Sequence, residues 1–168
     1  MRETEAEIAD LQTVMDRSFA TAGPQLAGIA GPEKRLNARQ VVAHLRGMKH
    51  IAVATVSSVG HPLVGPFDSF FLHGRFWMTT GARAYRAKHL ARNAAVSAVY
   101  FEGEEVAVTV HGSAAVFRKG APEIEEILAI MTEWYKGSPF DWGDIVFIRI
   151  DPERMLTYAR EPGQYSEG

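Results

Sequence analysis

Six runs rich in β-branched and aromatic residues, most of them closed by a turn signal, leave this chain few choices of fold. The runs are Ile51–Val56, Pro62–Leu72, Arg75–Thr80, Val96–Phe101, Val106 on toward Phe117, and Ile145–Ile150. Ser57-Ser58-Val59-Gly60 separates the first two, His73-Gly74 turns tightly between the second and third, and Gly103 sits between the fourth and fifth. In the fifth run Val106, Val108 and Val110 alternate with Ala107, Thr109 and His111, the period of a half-buried strand. Gly112-Ser113 inside that run reads as a bulge. Pro152 interrupts the last run, and Met155–Tyr158 reads as a resumed edge strand. The expected fold is mainly β: about six strands in a small antiparallel barrel decorated with helices.

The helical signals lie around these runs. Ile8, Leu11, Met15 and Phe19 form one apolar stripe, with Glu3, Glu5 and Glu7 near the helix start, where its dipole favours negative charge. Residues 20–36 hold Gly23, Pro24, Gly28, Gly31 and Pro32 and read as a connecting loop. Asn37 followed by Gln40 is a capping-box pattern before Val41, Val42 and Leu45. A short helix is expected within Gly81–Asn93. Another starts near Pro122, buries Ile124, Ile127, Leu128 and Met131, and stops at Gly137-Ser138-Pro139. The expected division is residues 1–36 as N-terminal helix and linker, 37–160 as the barrel, and 161–168 as a flexible tail.

Composition removes several function classes. No cysteine is present, so thiol nucleophiles, thiolate zinc sites and cysteine-ligated clusters are excluded. With 18 Lys+Arg against 20 Asp+Glu the net charge is -2, without the basic excess of a general nucleic-acid binder. No apolar stretch approaches the ~20 residues that span a bilayer, and no signal-peptide core opens the chain. The expectation is a cytoplasmic protein with neither nucleic-acid nor membrane partners. No His-Glu-x-x-His helix or comparable spacing occurs, so no metal site is expected.

The charge is nevertheless segregated. From Ser69 to Phe101 there is no acid, yet Arg75, Arg83, Arg86, Lys88 and Arg92 fall there, four of them just after Thr79-Thr80-Gly81. A strand ending in hydroxyls and glycine before a basic helix is the layout of a small-anion clamp. The competing reading is a solvated basic face paired with Glu102, Glu104, Glu105 or the acidic N-terminus. Trp77 and Trp134 read as packing residues. Trp142, in Phe140-Asp141-Trp142-Gly143, is either a ligand cover or a subunit contact.

The order of these parts resembles the pyridoxamine 5′-phosphate oxidase-like FMN-binding split-barrel family, part of the flavin and deazaflavin oxidoreductases. The carrying segments are Ile51–Val56 with Gly60-His61-Pro62 and Val64-Gly65-Pro66-Phe67, then Phe76–Thr80 with Leu90-Ala91-Arg92-Asn93, then Val146–Arg154. The resemblance implies a homodimer with cofactor at the subunit interface, and hydride transfer to or from a small molecule. It implies FMN as cofactor, with coenzyme F420 as the alternative and haem less favoured. Thr80 matches the family's phosphate-binding hydroxyl. Arg86 stands where flavin-binding members usually carry Lys, and Ala84 where they often carry Ser. Arg83 or Lys88 would compensate for that lost bond. Val64, Pro66 and Asp68 lie along the strand beside the ring and Thr79 supports it, with Trp142 as its cover if that residue is not a subunit contact. No catalytic residue is implied, and a non-catalytic cofactor-binding or sequestering role uses the same clamp. The basic substrate motif of true pyridoxamine phosphate oxidases has no counterpart in the tail Glu161-Pro162-Gly163-Gln164-Tyr165.

Overall fold

The computed structural model describes residues 2–168. Strands β1 (Met48–Val56), β2 (Pro62–Leu72), β3 (Arg75–Gly81), β4 (Ala95–Glu102), β5 (Val106–Phe117) and β6 (Ile145–Ala159) close into an antiparallel barrel. The neighbour order is β1-β2-β3-β6-β5-β4, with β4 returning to β1. Alternation decides what fills it. Ile51, Val53, Phe67, Phe71, Phe76, Met78, Val106, Val108, Ile148 and Ile150 belong to the interior, while Ala52, Ala54, Val64, Pro66 and Asp68 face outward.

The last strand corrects the sequence reading. β6 is one continuous strand of 15 residues, so Pro152 does not interrupt it; β5 pairs along it and β3 only with Ile145–Ile150, which leaves Met155–Tyr158 paired on one side, as an edge. Pro152 is accommodated because it stands opposite Gly112 at a shift in register, where a missing N–H costs no ladder bond. Gly112 is obligatory there, since a Cβ would lie 2.1 Å from the Asp151 carbonyl oxygen. The bulge therefore falls where Gly112-Ser113 put it.

Among the described residues, five α-helices decorate the barrel. α1 (Glu5–Ala20) carries a Thr4–Glu7 capping box and buries Ile8, Leu11 and Met15 in the same core as the barrel interior. Residues 20–36 are not all loop: Pro24 at the first turn, after Gly23, starts α2 (Pro24–Ile29), and Pro32–Lys34 forms a 3-10 turn. α3 (Ala38–His44) has the predicted Asn37–Gln40 box. α4 (Tyr85–Arg92) is shorter than Gly81–Asn93, because residues 81–84 are spent on a turn in which Ala84 N donates to Gly81 O. α5 (Glu125–Tyr135) follows a 3-10 turn at Pro122–Ile124 and lies outside the barrel. Ile124, Ile127 and Met131 join Phe70, Leu72, Trp77 and Phe147 in a second core. Residues of the tail meet α3, where the Gln40 side-chain amide donates to Pro162 O and Tyr165 O. Among the described residues, no helix is long and apolar enough to cross a membrane.

Candidate functional site

The five basic residues of the acid-free segment separate into two groups. Arg75 is bound into the fold by an ion pair to Asp151 (2.7 Å), and Arg92 donates to Val56 O (2.7 Å). The side chains of Arg83, Arg86 and Lys88 make no ion pair and no hydrogen bond among the described residues. The acids that the sequence offered as their partners are engaged elsewhere. Glu104 and Glu105 pair with Arg160, Glu102 accepts from Tyr100, Glu5 pairs with Arg39, and Glu7 with His73. The helix bearing these cations has no side-chain cap at Ala84, so its first amides are not satisfied from that side chain. Its register against the barrel is fixed by a buried bond between Thr55 Oγ1 and His89 Nδ1 (3.0 Å).

Arg86 turns back from α4 across β2. Its guanidinium lies over the Phe67 ring (4.8 Å to the centroid) and occupies the space a side chain at Gly65 would need. A Cβ at Gly65 would sit 1.6 Å from a terminal guanidinium nitrogen. The absent side chain is thus what lets the cation reach this face.

Arg86 enters a cleft of about 490 Å³ lined also by Pro66, Phe67, Asp68, Thr79, Thr80, Gly81, Tyr135, Trp142, Asp144 and Ile145. One wall is the register of β3 on β6: Thr79 opposite Phe147, Thr80 opposite Val146, Gly81 opposite Ile145. The other is aromatic. Ser138 and Asp141 cap the Pro139–Trp142 turn, with Ser138 N donating to the Asp141 carboxylate (3.0 Å), and this turn delivers an exposed Trp142 edge-on to Tyr135 (4.9 Å between centroids). Burial lifts the Tyr135 phenol above its ordinary pKa, and the adjoining Asp68 carboxylate adds to the rise. Asp68 also meets His50 Nδ1 at 3.0 Å, across the β1–β2 pairing of these two residues.

Of the residues singled out in the sequence, the cleft brings together Pro66, Asp68, Thr79, Thr80, Arg86 and Trp142. Val64 lies two residues before Pro66 on the same outward face of β2, 71% exposed. Arg83 is in the turn before α4, and Lys88 lies on α4 with its ammonium 5.8 Å from the Tyr85 ring; neither lines the cleft. Tyr135 and Asp144 were missed. Tyr135 ends a helix whose visible signal was its apolar stripe. Asp144 stands one residue before Ile145, and only the β3–β6 register brings it to the end of β3, where its carbonyl accepts from Ala82 N (2.9 Å).

The sequence profile of the family described as pyridoxamine 5′-phosphate oxidase matches residues 38–159. No curated protein matches the chain by sequence. Several solved structures share its fold. A conserved hypothetical protein, Rv2991 from Mycobacterium tuberculosis, superposes with TM-score 0.66 at 15% identity, over 80% of this chain and 92% of that one. The heme storage protein HutZ from Vibrio cholerae gives 0.59 at 20%, over 71% and 90%. A protein titled F420 reductase gives 0.53 at 19%, over 67% and 92%.

Proposed function

Because the chain belongs to the pyridoxamine 5′-phosphate oxidase family, we propose that the cleft holds the phosphate and ring of FMN and that the protein is a flavin-dependent oxidoreductase acting on a small molecule. The observation that carries this reading is the set of unpaired cations at α4, with Arg86 turned into the cleft beside Thr80. Arg86 is half-buried, where a cation normally finds a carboxylate, yet it pairs with neither Asp68 nor Asp144, the two carboxylates that line the cleft with it. The residues fit a phosphorylated planar ring. Arg86 and the Thr80 hydroxyl would be the donors for the phosphate. Pro66, Thr79 and the Tyr135–Trp142 pair offer flat walls that exclude water from the ring. The bound flavin would supply the hydride chemistry, and the protein its orientation and electrostatics.

Coenzyme F420 is the second reading, and the free Arg83 and Lys88 outside the cleft favour it, since they would meet a longer anionic tail. Haem has less support, because the chain has no cysteine and no histidine lines the cleft.

The reading includes a homodimer. On the outward face of β1, β2 and β4, Ala52 and Ala54 lie between Val64 and Pro66 on one side and Ser97 and Val99 on the other. Val64 and Phe101 (59% exposed) stand out from this small-residue surface. Apolar faces of this kind are usually covered, and Pro66 belongs both to this face and to the cleft. A second copy seated there would wall the cleft. Val64→Lys should convert the dimer to monomer in sedimentation and weaken cofactor binding with it.

The test is the visible spectrum of the purified protein, followed by titration with FMN and F420. Bound flavin absorbs near ~450 nm and the deazaflavin near ~420 nm. Binding followed by reoxidation with an organic acceptor supports the oxidoreductase. Binding without turnover supports a sequestering protein, and uptake of neither ends the cofactor reading.

A further inference from the structure

The cleft is not uniformly cationic. Beside Arg86 and Thr80 it is lined by two carboxylates, Asp68 and Asp144, which a site built only for anions would not hold, and Asp68 is the one that neighbouring side chains hold in place. Asp68 and Arg86 line the same cleft without forming an ion pair. The carboxylate is held from two sides instead. His50 Nδ1 approaches it at 3.0 Å from the neighbouring strand, and Tyr135 approaches from α5, itself braced edge-on by Trp142.

A carboxylate has about four lone-pair positions, and these two neighbours leave capacity unused. Asp68 is 52% exposed, and it lines the open cleft. It is an acceptor with no proton to give when ionised. A ligand edge that offers it an N–H is bound by a charge-assisted hydrogen bond, whereas a carbonyl or an N-alkyl group there meets an unpaired charge.

From this geometry we infer that Asp68, oriented by His50 and Tyr135, reads a ring N–H of the ligand whose phosphate is held at Arg86. The chemical class is a phosphorylated heteroaromatic with an imide-type N–H on its far edge. The inference rests on the cofactor reading above and adds a specificity determinant to it. His50 and Tyr135 are positioning residues that act through Asp68. The competing role for Asp68 is structural, tying α5 to β2 through Tyr135.

The experiment compares the affinity of apo protein for FMN and F420 with that for their N3-methylated derivatives, read by fluorescence or calorimetry. For whichever parent binds, methylation should weaken wild-type binding at least ~10-fold, the scale of one hydrogen bond to a charged group. In Asp68→Ala that ratio should fall toward one, and in the shape-preserving Asp68→Asn, which keeps a neutral acceptor oxygen, it should fall partway, while the melting temperature holds. Arg86→Ala should weaken parent and derivative alike and leave the ratio unchanged. His50→Ala should lower the ratio partway, and a wild-type ratio in that variant removes its positioning role. If wild type tolerates methylation, or if both Asp68 variants keep the preference, the inference is overturned and the cofactor reading stands. If neither FMN nor F420 binds wild type, both are overturned.

Discussion

The β2–β3 hairpin turn and the start of α4 are both rich in charge and use it in opposite ways. At the hairpin, His73 is held by carboxylates on every polar side. Its backbone N donates to Glu3 (3.0 Å), Nδ1 faces Glu7 (3.0 Å) and Nε2 faces Glu126 (2.9 Å), while Arg2 bridges to Glu126 (3.3 Å). Arg75 donates to the His73 carbonyl (3.0 Å) and pairs with Asp151. These contacts bind α1 and α5 to a turn in which His73 and Gly74 both adopt positive φ, 52° and 74°. At α4 the three cations Arg83, Arg86 and Lys88 are left without partners. Charge that serves the fold is neutralised inside the fold. Charge left over beside a cleft is available to something that is not part of the chain.

The largest effect that separates the two regions should come from Arg86→Ala. It should lower FMN or F420 affinity by ~10- to 100-fold, the loss of one or two charge-assisted bonds, with little change in melting temperature. Equal loss of stability would show that the cation belongs to the fold after all.

Gly65→Ala tests the position of that charge rather than its presence. The new Cβ would displace the guanidinium, the mobile end of a long side chain, so binding should weaken about as much as half of the Arg86→Ala effect on a logarithmic scale. Circular dichroism should report an intact barrel.

The hairpin predicts a pH dependence instead. Burial alone pulls His73 down, but its hydrogen bonds and charge pairing with Glu126 and Glu7 outweigh this, and its pKa is raised. A neutral imidazole has one N–H, so both carboxylate contacts are favourable only for the imidazolium. The clamp's contribution is therefore complete below the ordinary histidine value of ~6.5 and is lost as pH rises through the raised folded value. The backbone amide of Thr4 holds Glu7 below the carboxylate range, and His73 does the same for Glu126. Their contribution is present above the ordinary carboxylate value and fades as pH falls through the lowered one. The melting difference between wild type and His73→Gln should thus peak between the carboxylate and histidine ranges and shrink as pH rises through the raised His73 value. Cofactor affinity should not follow that curve. Arg2→Ala, which breaks an exposed pair, should move stability by less than ~1 kcal/mol at any pH.

The barrel was legible in the sequence because its signals are local. Alternation in Val106–Val110, the Gly112 bulge and the Asn37–Gln40 box each depend on residues close in the chain. What was not legible depended on distant partners. Pro152 looked like a break because only the bulge opposite it shows that no ladder bond is lost. The basic helix stayed undecided because the commitments of Glu102, Glu104 and Glu105 to Tyr100 and Arg160 are tertiary facts. Tyr135 joined the site through the docking of α5, which an apolar stripe cannot specify to the residue.

The most direct test of the claim that the unpaired cations of α4 await a phosphate compares FMN with riboflavin, the same ring without the phosphate. Wild type should bind FMN at least ~10-fold more tightly, and the preference should weaken as salt is raised. Equal affinity for the two, at low salt, would contradict the account.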